Sequence, residues 1–542
     1  MIESREPQSE PADWLEALPL ARLQASGSLA TKLGGRQVAL FVHEGAVLAC
    51  NNRCPHEGYP LCEGSLDATG VLTCQWHNWK FDLRNGANLY GGDSLRTYPV
   101  RVLDGQVWVD VSEPPAAQRI ATIQAHLDEA LADNDYPRIA RELARLEHAG
   151  AAPETALLHA LELTHARLRY GMTHAYAAAD AWLRLRDTLA DAGQRLACAT
   201  EALAHTGFDT LREEHYPYTA ARQAWHAPTF LAAVEAQDET GAIAGLNDAL
   251  AGGQSFTDLE PTLAAAALAH YNDFGHSLIY LAHLRNLVAR LGTQATAPLL
   301  RAWTRSVIHA TREDLLPDFK AYAGALARWP GAARPDALNE APGVQFEALA
   351  IRPTLTATLE AAAQHAPLAL WAALMEAGAH HLLRFDERHA LRTDNPVTEE
   401  VGWLDFSHAL TFGHAVRLTC TRHPALWPQG LLQMALFVGR NTPYLVEDLD
   451  SARAQAAWTV DDADAFDALA QAQIIDHGIG LPIFSAHRLK TWLAVRDSVA
   501  LGVPQATAAA LRAAVRRLLA AQFKQRHALR TANQALRFVA RE

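Results

Sequence analysis

Residues 54–64, CPHEGYPLCEG, and residues 74–86, CQWHNWKFDLRNG, decide how this chain is read. Each stretch opens on a cysteine and brings a histidine two or three positions later: Cys54 with His56, and Cys74 with His77. Seventeen residues separate His56 from Cys74, enough to place the two pairs on separate loops. Two thiolates and two imidazoles in this order suit a [2Fe–2S] centre in which the thiolates hold one iron and the imidazoles the other. Neutral imidazole lowers the negative charge on the second iron and raises its potential above that of an all-cysteine cluster. A tetrahedral zinc site could use the same donors, but zinc sites favour CxxC and HxxxH spacing.

Around these stretches the pattern is one of short, glycine-punctuated strands. QVALFVHEG, AVLACNN, GVLTCQWH, WKFDLRNG and GQVWVDV predict a small antiparallel β domain over residues 1–112. A prolyl segment at 113–118 reads as a linker. From residue 119 to 542 the chain is rich in alanine and leucine with helical periodicity, which predicts a large all-α domain. A break near 329–335 divides that region into two candidate halves. The expected fold is thus multidomain, a small all-β unit followed by a large all-α one.

The two cysteine–histidine stretches and their surroundings, roughly residues 12–112, resemble the Rieske family. The resemblance is to its soluble ferredoxin type and to the small subunit of nitrite reductases. It implies that Cys54, His56, Cys74 and His77 bind the cluster. Cytochrome-complex members add a disulfide between the ligand loops. Cys62 lies near one such position, but Trp76 stands beside the second loop, so the resemblance implies a bridge-free, lower-potential centre. Segments such as HALELTHARLRYG and WLDFSHALTFGHAVRL bear a faint resemblance to questin-oxidase-type oxygenases.

Of the 25 histidines, only His43, His56 and His77 fall in the β domain. Two helical segments carry the form His-x-x-carboxylate-x-x-His: His159, Glu162 and His165, and again His270, Asp273 and His276. Random placement at this composition gives such a triplet well under once, yet it occurs twice. On a continuous helix, positions i and i+3 share a face, so each triplet would present three ligands, in the manner of di-iron bundles. Asp405, His408 and His414 approach the two-histidine, one-carboxylate set of ring-hydroxylating oxygenases, with one residue too many between the histidines. RYGMTH, DFGHS and TFGHA, around His174, His276 and His414, share an aromatic–glycine–histidine context.

The net charge of −13 argues against nucleic acid or anionic membrane as the main partner. No apolar run approaches the roughly 20 residues of a membrane span, and the acidic start is unlike a secretory leader, so a cytoplasmic protein is expected. No nucleotide-binding glycine loop follows a strand, so electrons are expected from an external reductase or ferredoxin. The expected function is a Rieske oxidoreductase. The cluster relays single electrons to one or two further irons, with Glu162, His165, Asp273 and His276 as catalytic residues and His159, His270, His408 and His414 as further ligands. The substrate is a small organic molecule oxidised with oxygen, and assembly into homo-oligomers is compatible with this reading. The alternative is an electron carrier or redox sensor whose helical domain binds a partner or ligand without a second metal.

Overall fold

The computed structural model describes residues 13–210, 213–331, 339–393, 401–523 and 528–540. The β domain holds three antiparallel sheets. The first is β1 (Trp14–Pro19), β11 (Gln106–Asp110) and β10 (Val100–Leu103), in that order. The second is β2 (Ser28–Leu33), β3 (Arg36–His43), β4 (Ala46–Asn51) and β9 (Thr97–Tyr98). The third is β5 (Ser65–Leu66), β6 (Val71–Thr73), β7 (Lys80–Asp82) and β8 (Asn88–Tyr90). Successive strand residues face opposite sides, and β3 is buried on both. Val38 and Leu40 enter one core with Leu23, Val107 and Val109, while Ala39 and Phe41 enter another with Leu61, Leu72 and Phe81. Cys54 and Cys74 belong to that second core, so both cysteines are built into the packed floor of the domain.

The described residues divide into two compact units. The first runs to Ala130 and adds Tyr136–Ala152; the second holds Leu131–Asp135 and the described residues from Pro153 onward. The composition change at 119 therefore does not coincide with the division, and the helix Ala116–Ala132 already begins inside the expected linker 113–118. The physical reason is a buried ionic contact. Asp93, after β8, accepts hydrogen bonds from Arg141 and Arg145 of the helix Tyr136–His148 and lies 3.6 Å from Arg138 Nε. Of the expected break at 329–335, residues 332–335 lie outside the described residues.

In the helical unit, four helices close a ring: His174–Arg186, His276–Leu291, Trp403–Arg422 and Pro482–Ala500, each packed on its two neighbours. Indole donors fix two of them, with Trp303 Nε1 bonding Ser277 O at 2.9 Å and Trp371 Nε1 bonding Gly413 O at 2.7 Å. Each helix has its own start signal. Thr173 caps the first through Ala175 N, Asp405 bonds the Gly402 amide at the third, and Pro482 opens the fourth.

The second start is unusual. Asp273, Phe274 and Gly275 are all left-handed, with φ of 42°, 51° and 73°. A non-glycine residue held there costs roughly 1–2 kcal/mol, so the turn persists only because its surroundings over-determine it. Asp273 N bonds Thr311 O, Phe274 N bonds the Glu313 carboxylate, and Gly275 N bonds Asn272 O. A Cβ on Gly275 would lie 2.4 Å from the Phe412 ring. Gly275→Ala is therefore expected to destabilise the helical unit by more than ~2 kcal/mol, combining left-handed strain with overpacking. Gly253→Ala, at φ 86° in the left-handed cap where Gln254 N returns to Ala249 O, but with open space around its Cβ, should cost only about 1 kcal/mol. Thermal unfolding of the two variants checks the contrast; equal shifts would refute it.

Candidate functional site

The two ligand loops of the β domain are built alike. Cys54 N bonds Tyr59 O at 2.9 Å and Gly58 N returns to Cys54 O at 2.8 Å. Cys74 N bonds Trp79 O at 2.8 Å and Asn78 N returns to Cys74 O at 3.1 Å. The fifth residue of each loop is left-handed, Gly58 at φ 81° and Asn78 at φ 60°, residue types that tolerate this region best. The thiols lie in contact at the base, 4% and 1% exposed, while His56 and His77 stand at the solvent edge with their Nδ1 atoms 3.1 Å apart. Burial, first of all, pushes the Cys54 thiol up to about 11. Trp79 stacks on His56 (centroids 4.7 Å, 14°) and Trp76 on His77 (5.0 Å, 26°). Two paired buried thiols below two imidazoles that turn the same nitrogen to one point fit a [2Fe–2S] cluster. None of the six cysteines forms a disulfide; Cys62 packs beside Asn52.

Residues 13–99 match the Rieske [2Fe-2S] domain model, and the chain belongs to this family of iron–sulfur proteins. It is 38% identical over 78 residues to the ferredoxin subunit of a 3-phenylpropionate/cinnamic acid dioxygenase of Photorhabdus laumondii, covering 14% of this chain and 74% of that one. It is 33% identical over 84 residues to the ferredoxin component of the alkene monooxygenase system of Xanthobacter autotrophicus, covering 15% and 69%. Among solved structures, the ferredoxin of carbazole 1,9a-dioxygenase from Nocardioides aromaticivorans IC177 is similar at 25% identity, covering 18% of this chain and 98% of its own, with a TM-score of 0.18.

Each helix of the ring in the second unit contributes one histidine to a common cluster: His174, His276, His408 and His487. One nitrogen from each lies within 4.8 Å of one from every other. Going round, the ring centroids are 4.6, 4.6, 4.8 and 4.8 Å apart, so the imidazoles form a near-square. Outer partners fix which nitrogen faces inward. His408 Nδ1–H donates to Leu404 O at 2.6 Å and His487 Nδ1–H to Ile483 O at 2.7 Å. A carbonyl only accepts, so both Nδ1 atoms carry the proton. His276 Nδ1 is 3.4 Å from the Asp273 carboxylate, and His174 Nδ1 is 3.4 Å from Tyr280 OH. The Nε2 atoms of His408 and His487 are therefore bare and lie 3.3 Å apart, the Nε2 of His276 lies 2.8 Å from that of His408, and His174 Nε2 is buried without a partner. Lone pairs at these distances repel unless a cation lies among them. Burial holds His174, His408 and His487 well below the usual histidine range, which disfavours a proton in that role. Four imidazoles, each oriented by an outer partner, suit a first-row transition metal.

Charged groups surround this square. Lys490, one turn after His487, is 3% exposed, and burial pulls its amine down to about 7 while Asp209 opposes the shift. Burial raises Asp209 to about 6, against the hydrogen bond from Thr173 Oγ1 at 2.5 Å. Asp209, Thr173 and Asp273 also line a cleft of about 430 Å³, together with Tyr170, Met172 and His309.

Of the residues expected from sequence, His276 and His408 join the square and Asp273 stands behind His276. The triplets do not converge as units. The helix Pro153–Thr164 ends before His165, which begins a tight 3-10 turn, so the three-residue spacing is interrupted. Glu162 is exposed, His159 is half-buried, and His165 is stacked on Tyr218 at 5.7 Å. His270 lies beyond the helix Phe256–Ala267 and pairs with Glu235 (2.5 Å) and Asp314 (3.1 Å). His414 bonds Ser498 Oγ at 2.9 Å. His174 and His487 were absent from the expected ligand set. His174 carried a signal in its aromatic–glycine–histidine context, whereas His487 carried none.

Elsewhere in the helical unit, burial first of all lowers His205 to about 3 and His381 and His414 to about 4. Because their folded values lie below the unfolded value near 6.5, their stabilisation is present above that pH and is lost as pH falls toward 4. Asp209, raised to about 6, acts oppositely: its contribution is full below about pH 4 and is lost as pH rises through 6, so it offsets one histidine. The net effect is acid destabilisation, with each of the three histidines contributing up to ~2 kcal/mol at pH 5. Urea unfolding at pH 7 and pH 5 should show a clearly lower midpoint at pH 5; an equal or higher one contradicts the assignment.

Proposed function

We propose that the chain is an oxygen-dependent oxidoreductase in which single electrons enter at the Rieske site and are used at a transition-metal centre held by His174, His276, His408 and His487. The observation that carries this reading is the convergence of four imidazoles within 4.8 Å, two of them, His408 and His487, with bare Nε2 atoms facing each other at 3.3 Å. When bound, the two-iron cluster supplies one-electron storage and the histidine-held metal supplies redox chemistry with dioxygen. Cys54 and Cys74 anchor one side of the first site, and His56 and His77 present its other side to solvent, where an external reductase or ferredoxin would dock. Trp76, 56% exposed beside His77, offers that donor an apolar contact. The two curated relatives are components of dioxygenase and monooxygenase systems, which supports electron flow of this kind. At the second site the carbonyls of Leu404 and Ile483 and the Asp273 carboxylate orient three imidazoles, and burial excludes water from three of the four rings. The cleft beside Thr173 and Asp273 has room for a small organic substrate, and Asp209 holds a proton-exchanging carboxyl on its wall.

Metal and acid-labile sulfide analysis of anaerobically purified protein tests the reading. Two irons and two sulfides with the Rieske EPR signal, plus at least one further transition-metal ion per chain, are expected. His408→Ala should lose the further metal while keeping the Rieske signal, and Cys74→Ala should do the reverse. Wild-type protein with only the two cluster irons would overturn the second centre and leave an electron carrier or sensor.

A further inference from the structure

Asp93 is fully buried, yet it is a carboxylate outside both sites described above. Arg141 grips it with two hydrogen bonds, Nε at 2.7 Å and Nη2 at 2.9 Å, and Arg145 Nη2 adds a third at 2.9 Å. Arg138 Nε stands 3.6 Å away. Burial pulls the other way, but the Arg141 hydrogen bond and the Arg145 and Arg141 charges hold this carboxyl below the usual range. A buried carboxylate costs several kcal/mol unless it is paired and hydrogen-bonded; three arginines on one helix meet that cost from one side. They are themselves braced, since Arg145 also bonds the fully buried Glu142, whose carboxylate lies 3.2 Å from His126 Nδ1.

The other side of Asp93 leads to the cluster site. Its carbonyl accepts from Asn88 Nδ2 at 3.0 Å, closing the turn that follows β8. Two residues earlier, Gly91 has φ 134°, and a Cβ there would fall 2.3 Å from the Trp79 indole, so the backbone of this turn rests directly on the ring. Trp79 in turn stacks on His56, and its carbonyl accepts the Cys74 amide. Arginines, Asp93, the Gly91 turn, Trp79 and His56 form one unbroken line of contacts within the first compact unit.

We propose that Asp93 is a positioning residue for the cluster ligand His56: held by Arg138, Arg141 and Arg145, it keeps the Gly91–Asp93 turn on Trp79 and thereby fixes the indole against the His56 ring. The helices Ala116–Ala132 and Tyr136–His148 are then a working part of the electron-transfer module, because one of them sets the surroundings of a cluster ligand. Orientation of a ligand by contacts behind it tunes a metal centre without touching the metal. The idea rests on the Rieske site alone and is independent of the second centre.

The test uses the full chain with its cluster, as Asp93→Asn, Arg141→Met and Trp79→Leu. All three are expected to keep two irons and two sulfides. Their EPR g-values, the nitrogen couplings of one histidine ligand and the midpoint potential should shift, in the same direction in each. The shift should be smaller in Arg141→Met, which retains two of the arginines. Wild-type spectra and potential in Asp93→Asn and Arg141→Met, whatever their stability, would overturn the proposal and leave the clamp a fastening only. Should Asp93→Asn fail to fold, Arg141→Met decides alone on the same criterion.

Discussion

Four imidazoles turned toward one another inside a helical ring are the constraint on which the helical unit rests. Outer partners set two of them outright and orient a third: Leu404 O and Ile483 O accept the Nδ1–H of His408 and His487, and the Asp273 carboxylate lies beside Nδ1 of His276. The bare Nε2 atoms of His408 and His487, 3.3 Å apart, suit a cation between them. The surrounding architecture serves that arrangement. The left-handed turn 273–275 costs energy, yet it starts the His276 helix where its first residue faces inward. The buried indoles of Trp303 and Trp371 lock two of the helices.

The two sites solve the same problem by different means. In the β domain, two loops with identical hydrogen bonding each offer a cysteine at the first position, and the histidine falls one residue later in the second loop. The metal-binding geometry is therefore local, fixed within each hexapeptide. In the helical unit no single segment contains a site. His408 and His487 sit one turn into their helices and bond their own preceding carbonyls, while His174 and His276 stand at helix starts behind the left-handed Gly171 and Gly275.

That difference explains what the sequence made legible. The cluster ligands could be read because their spacing is the structure: C-x-H and C-x-x-H within loops bounded by strands. The change from β to α grammar was equally plain, although the helix Tyr136–His148 packs with the β domain through Asp93, a long-range ion pair that no periodicity announces. The histidine triplets do not converge as units because that requires unbroken helices, and both are interrupted, by the tight turn at His165 and by the left-handed turn at 273–275. His276 and His408 were reached from sequence. His487 was not, because a single histidine in a mostly buried helix looks the same whether or not three others meet it.

The positions of the ligands along the chain also set an order of assembly. The cluster donors span residues 54 to 77, so their loops close early and at little entropic cost. The four histidines span residues 174 to 487, and none of them meets its neighbours until helices far apart in sequence have docked. During synthesis the iron–sulfur domain is complete while most of the helical unit is still unmade. The histidine square comes into being only as the last of its helices arrives, so binding of any ion it holds is coupled to that docking.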